Sequence, residues 1–117
     1  MAAPVVWFEI AGQNLKTLTS FYSKLFGWKV DANNSMKYGM VDTGGTGGVP
    51  GGMFEAPEGV GDYVTFYAEV PDIDAALVRA EELGGKIVQP RTPLDGGPII
   101  AMILDPEGHS VGVLQQP

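Results

Sequence analysis

The sequence predicts an α+β fold made of two βαβββ modules. Three observations predict it: an internal repeat of half the chain length, one amphipathic helix in each half, and short strands set off by turn-rich segments. Sliding the 117-residue chain by 58 positions lays VWFEIAGQNLKTLTSFYSKLFGWKV (6–30) over VTFYAEVPDIDAALVRAEELGGKIV (64–88). Few letters coincide, but Phe8 meets Phe66, Leu15 meets Ile73, Leu25 meets Leu83, Gly27 meets Gly85 and Val30 meets Val88. Each copy reads strand, polar turn, helix, glycine, strand. We expect one domain over 1–117, with a first module at about 4–56 and a second at about 62–115.

The elements follow in order. VVWFEIAG (5–12) is apolar and β-branched enough for a strand. Leu15, Leu18, Tyr22, Leu25 and Phe26 then recur at helical spacing, with Asn14 placed as N-cap and Gly27 as the residue that ends the helix. Strands are expected at 28–32, 36–42 and 48–54, separated by DANNS and DTGGTGG. In the second half a strand at 64–70 leads to a helix with the stripe Ile73, Ala76, Leu77, Ala80 and Leu83. Asp72 caps it and Gly84-Gly85 ends it. Strands at 86–90, 98–104 and 109–115 complete the repeat, divided by RTPLDGG and DPEGH.

Composition bounds the function. Hydrophobic content of 44% and charged content of 18% are those of a globular chain, long enough to bury roughly two-thirds of its unfolded surface. With no cysteine, neither a disulfide nor a thiolate metal site can form. The net charge is −7 and the seven Lys and Arg are scattered, so the clustered cations that nucleic acid requires are missing. No stretch of 18 apolar residues occurs, and MAAPVV carries no basic leader region, so neither a membrane span nor a signal peptide is expected. A cytoplasmic protein is the expectation.

One residue in the first strand is out of character. Glu9 stands among Val5, Val6, Trp7, Phe8 and Ile10, and a carboxylate buried without a partner costs several kcal/mol. Period-2 alternation turns Phe8 and Ile10 toward the first helix and Trp7 and Glu9 away from it. In 64–70 the same parity puts Val64, Phe66, Ala68 and Val70 toward the helix and Thr65, Tyr67 and Glu69 on the open face. Two such modules can curl their open faces around a concave space, which Glu9 would line. Two readings of Glu9 stand: a base or hydrogen-bond acceptor for a ligand, or a groove carboxylate that is merely hydrated or paired with a neighbour such as Tyr67 or Lys37.

The segments LKTLTSFYSKLFGWKV, VPGGM, VPDIDAALVRAEELGGKIV and ILDPEGHSVGVLQ resemble the vicinal oxygen chelate superfamily over nearly the whole chain. That group includes glyoxalase, bleomycin-resistance proteins, extradiol dioxygenases and fosfomycin-resistance proteins. The resemblance implies a groove that takes a small molecule and a homodimer. In its metal-dependent members it implies His, Gln or Glu ligands on the first and last strand of each module. Those places fall here on Trp7, Thr65, about Gly52-Met53, and Gly112. None supplies a normal ligand for a first-row metal, so no metal and no cofactor is expected.

The expected contacts to an organic ligand are Trp7, Tyr38, Met53, Thr65, Tyr67 and Met102, with Met40 beside them, and Glu9 as the candidate catalytic residue. The plain alternative for the methionines is ordinary core packing. Trp28 is expected against the first helix or a dimer partner. His109, in the DPEGH turn, is expected to be surface, and with a single histidine and no cysteine a nucleophilic triad has no support. GGTGGVPGG (44–52) lacks the Gly-Lys-Ser/Thr ending of a phosphate loop and reads as a hairpin or flap. Metal-independent binding is the leading expectation. The alternatives are a metal-free lyase or isomerase using Glu9 as base, and a lactoylglutathione-lyase- or dioxygenase-type metal enzyme drawing ligands from Glu9 and Glu69.

Overall fold

The computed structural model describes residues 2–117. The elements run β1 (Val5–Gly12), α1 (Leu15–Phe26), β2 (Lys29–Asp31), β3 (Gly39–Asp42), β4 (Gly51–Glu55), β5 (Tyr63–Glu69), α2 (Ile73–Glu82), β6 (Lys86–Pro93), β7 (Ile99–Leu104) and β8 (Ser110–Gln115). This is the expected α+β class, with the order βαβββ twice. By its contacts the chain divides into two compact units, residues 7–64 and residues 65–117 together with the N-terminal stretch up to Val6.

In the 7–64 unit the strand order is β2-β3-β4-β1. β1 and β4 are parallel, with Glu9 opposite Gly52 and Ile10 opposite Met53, whereas β2-β3 and β3-β4 are antiparallel. α1 begins where Asn14 accepts a 2.9 Å hydrogen bond from the Thr17 N–H, and it ends at Gly27, whose φ of 71° suits a residue without a Cβ. Phe8, Leu15, Leu18, Tyr22, Trp28 and Val30 pack around the buried Ile10, Val41 and Met53. Phe8 and Ile10 thus face the helix as parity requires. Trp28 stacks on Tyr22 of α1 at 5.3 Å and 14°, the packing against the first helix that is one of its two expected places.

The helix stripe is shorter than expected: Leu25 and Phe26 are exposed. The first two strands after α1 are shorter too, because a tight turn occupies 32–38. There Lys37 is in the left-handed region and Asn34 holds the backbone of Tyr38, so the ladder resumes only at Gly39.

In the second unit the order is β5-β8-β7-β6, with β5 and β8 parallel and the remaining pairs antiparallel. Asp72 caps α2 through the Ala75 N–H at 3.1 Å. Ile73, Leu77, Ala101 and Val113 form the core, and burying a side chain such as Ile73 contributes about 1.5–3 kcal/mol.

One expectation on β5 is overturned. Val64 and Phe66 do not pack under a helix but are 72% and 43% exposed, whereas Thr65 and Tyr67 are buried. The parity itself holds, since Ala68 pairs with the core residue Val113. What fails is coverage: α2 packs on β6, β7 and β8, and the start of β5 lies outside its footprint.

Candidate functional site

The site is built from the face of the 7–64 unit that α1 does not cover. Glu9 of β1 lies opposite Gly52 of β4, and Gly52 lies opposite Met40 of β3. Gly52 leaves a space on that face, and the Tyr38 ring fills it: a Cβ at position 52 would run into the ring and its hydroxyl. From there Tyr38 donates a 2.6 Å hydrogen bond to Oε2 of Glu9.

Phe54, the next residue on the same face of β4, stacks on Tyr38 at 5.6 Å and meets Tyr63 edge-on at 6.2 Å. Tyr63 donates a second 2.6 Å hydrogen bond, to Oε1 of Glu9. Trp7, two residues before Glu9, donates from Nε1 to the Tyr38 hydroxyl oxygen at 3.1 Å. The result is a directed chain, Trp7 to Tyr38 to Glu9, with Tyr63 closing from the other side.

Both hydroxyl contacts have the length of a charge-assisted bond to a carboxylate, each worth about 1.5–3 kcal/mol. They resolve the anomaly of β1. Glu9 is 7% exposed, so of the hydrated or paired groove carboxylate it is the paired form, a buried acceptor with Tyr38 and Tyr63 among its partners. Beside Trp7 opens a cleft of about 420 Å³ lined by Lys29, Asp31, Met40, Asp42 and Pro50 among others.

The other expected site residues separate. Met53 does not join this face. It is fully buried on the helix side with Ile10 and Val41, because its register opposite Ile10 gives it the core parity. Trp7, Glu9, Tyr38 and Met40 do share the face.

In the second unit Tyr67, Gly112 and Met102 stand in one row across β5, β8 and β7. The Tyr67 ring there covers Gly112 much as Tyr38 covers Gly52. Thr65 is buried, and its hydroxyl donates to the Ser110 carbonyl at 2.6 Å.

The four places where the resemblance expects metal ligands therefore hold an indole, a hydroxyl engaged by a backbone carbonyl, and two glycines roofed by tyrosine rings. That donor set does not fit a first-row metal. Among the described residues, no three His, Asp or Glu side chains gather as a cation site.

His109 sits in the exposed turn, its Nδ1 2.9 Å from Oδ2 of Asp105. The His109 backbone N–H is the main cause holding the Asp105 carboxyl below its ordinary value, with the His109 side chain and the Glu107 N–H adding to it. The glycine-rich 44–52 segment is the connection between β3 and β4, with Gly44 and Gly45 at positive φ.

Sequence reasoning missed Tyr63, Phe54 and Asn34. Parity held the signal for Tyr63, which shares its face with Thr65 and Tyr67, but the strand was begun one residue too late.

Comparison with known proteins agrees with this architecture. The proteins named "Putative glyoxylase CFP32" of Mycobacterium bovis and Mycobacterium tuberculosis are each 28% identical over 118 residues, covering 93% of this chain. The chain spans 44% of their length. Among solved structures, methylmalonyl-CoA epimerase of Mycobacterium tuberculosis superposes with a TM-score of 0.70 at 13% identity, covering 99% of this chain and 89% of that one. A superfamily member from Vibrio splendidus 12B01 gives 0.67 at 19%, covering 97% and 98%. At such identities these likenesses are of fold. The family model matches residues 5–113, and the chain belongs to the Glyoxalase/Bleomycin resistance protein/Dioxygenase superfamily.

Proposed function

We propose that this protein binds a small organic molecule without a metal, on the face carrying Trp7, Glu9, Tyr38 and Tyr63. The observation that carries the reading is the exchange of the family's ligand places for Trp7, Thr65, Gly52 and Gly112, two of them roofed by tyrosine rings. A glycine roofed by an aromatic ring offers a flat apolar surface and no donor, which suits stacking rather than coordination. The cleft beside Trp7 supplies room for part of a guest. A homodimer and a cytoplasmic setting belong to the same proposal, and exposed Phe21, Leu25 and Phe26 on α1 support pairing of copies.

The test has two arms. Elemental analysis after gentle purification is expected to find no stoichiometric Zn, Ni, Fe or Mn, and bound metal at one equivalent refutes the reading. Thermal-shift screening of metabolites and antibiotics is expected to find a stabilising compound. At a ligand concentration a hundred times Kd the gain is about 2.7 kcal/mol. Trp7→Ala is expected to abolish the shift.

A second reading is favoured by one specific contact pattern. Glu9 is buried, with two hydroxyl donors at 2.6 Å, so a base and groups able to return a proton stand together. That suits a metal-free lyase or isomerase, and the fold likeness to an epimerase is in keeping with it. Glu9→Gln is expected to abolish turnover in a folded protein, and an unchanged rate rejects this reading.

A further inference from the structure

We propose that Asn34 is a positioning residue of the Glu9 site, acting through Tyr38. The inference rests on Tyr38 and Glu9 being the working pair of the function proposed above.

Tyr38 stands one residue before β3, which begins at Gly39, at the junction of turn and strand. The Asn34 carboxamide grips the Tyr38 backbone there. Its Nδ2 donates to the Tyr38 carbonyl at 2.7 Å, and its Oδ1 accepts from the Tyr38 N–H at 3.0 Å. One side chain thus imitates a neighbouring strand toward a single residue.

The adjoining turn is bent to permit this. Lys37 has φ of 52°, the only non-glycine residue at positive φ among those described, and its N–H bonds to the Asn34 carbonyl at 3.1 Å. A long side chain stays in that region only where its surroundings fix it. Further back, the Asn34 N–H donates to the Ala32 carbonyl at 2.8 Å, and Asp31 Oδ1 accepts from the Asn33 N–H at 2.8 Å. The 31–38 turn is therefore closed by its own hydrogen bonds.

What it delivers is the Tyr38 ring over Gly52 and the Tyr38 hydroxyl between Trp7 Nε1 and Glu9 Oε2. The carboxamide is required for both bonds. Aspartate at 34 keeps the acceptor, loses the donor and sets a negative charge against the Tyr38 carbonyl.

The experiment reads the indole N–H of Trp7 by NMR in the ligand-free protein, with Trp28 on the helix side as internal control. Tyr38→Phe removes the acceptor and is expected to move the Trp7 resonance upfield. Asn34→Ala is expected to move it the same way and to speed its exchange with solvent about fivefold, leaving Trp28 in place. Asn34→Asp is expected to fall between.

A Trp7 resonance that stays put in Asn34→Ala while Tyr38→Phe moves it overturns the proposal. So does one that neither variant moves, or one that shifts only together with Trp28. Because no ligand enters the measurement, failure of the binding function would show in the ligand screen and leave this result unchanged.

Discussion

Tyr63 donates a 2.6 Å hydrogen bond to Oε1 of Glu9 across 54 residues of sequence. In a place so nearly closed to water the carboxylate cannot replace a lost donor with solvent. Tyr63→Phe is therefore expected to destabilise the protein by about 1–3 kcal/mol, although it removes a single oxygen. Tyr38→Phe should cost a similar amount. The double variant should deviate from additivity because both hydroxyls serve one carboxylate. Urea unfolding of the four proteins measures it, and Tyr63→Phe at wild-type stability would contradict the bond.

Glycine substitutions should split by what roofs them. At Gly52 an added Cβ meets the Tyr38 ring, and at Gly112 it meets the Tyr67 ring. Gly52→Ala and Gly112→Ala should each cost about 1–3 kcal/mol as the rings are forced aside. Gly47 has open space around it and no positive φ. Gly47→Ala should be neutral or stabilise by up to about 1 kcal/mol, through the unfolded chain. Melting temperatures of the three variants check the contrast. Gly52→Ala should cost less in a Tyr38→Ala background than in the wild type, since the obstructing ring is gone.

Much of this fold was legible because local signals and global demands agreed. Asn14, Gly27 and Asp72 cap or end the helices they were expected to, and parity placed Phe8, Ile10, Trp7 and Glu9 on the right faces. Parity alone could not tell which face would be dry. On β5 it led to Val64 and Phe66 as core, because a strand's pattern does not reveal how far a helix reaches across a sheet.

Met53 was misplaced by a different weakness. In GGMFE two glycines precede it, so alternation has no side chain to start from and the register with Ile10 decides. The Glu9 partners were hidden for a third reason. Tyr63 and Tyr38 lie far from Glu9 in sequence, and the turn that presents Tyr38 depends on a side chain imitating a strand.

The Asp105 turn gives a pH dependence whose sign is fixed. Its carboxyl is held below the ordinary value of 3.8, first by the His109 N–H and then by the His109 side chain and the Glu107 N–H, against an opposing desolvation effect. A carboxyl lowered in the folded state contributes stability that is complete above the unfolded value. That stability is lost as pH falls through the lower folded one. The melting temperature should thus fall on acid titration in the region below pH 3.8, and Asp105→Asn should flatten that limb by lowering the melting temperature at neutral pH while leaving the acid end little changed. An acid limb identical in both proteins would remove the turn from the account.

Thr65 offers the sharpest separation of a structural role from a ligand role. It occupies a first-strand place where the resemblance expects a ligand to metal, yet it is buried and its hydroxyl donates at 2.6 Å to the Ser110 carbonyl. The β5–β8 register begins two residues later, at Tyr67 opposite Gly112. The side chain therefore ties β5 to β8 where the backbone ladder does not. Thr65→Val keeps the shape and removes the donor, leaving the part-buried Ser110 carbonyl one partner short, at a cost of about 1–3 kcal/mol. Thr65→Ser should recover most of that loss, because it restores the donor and gives up one methyl group. If the hydroxyl served a guest instead, Thr65→Val would weaken binding of any compound found by thermal shift and leave the unliganded melting temperature where it was. The geometry requires the reverse: a lower melting temperature without ligand and an unchanged affinity, measured by calorimetric titration at a temperature where both proteins are folded.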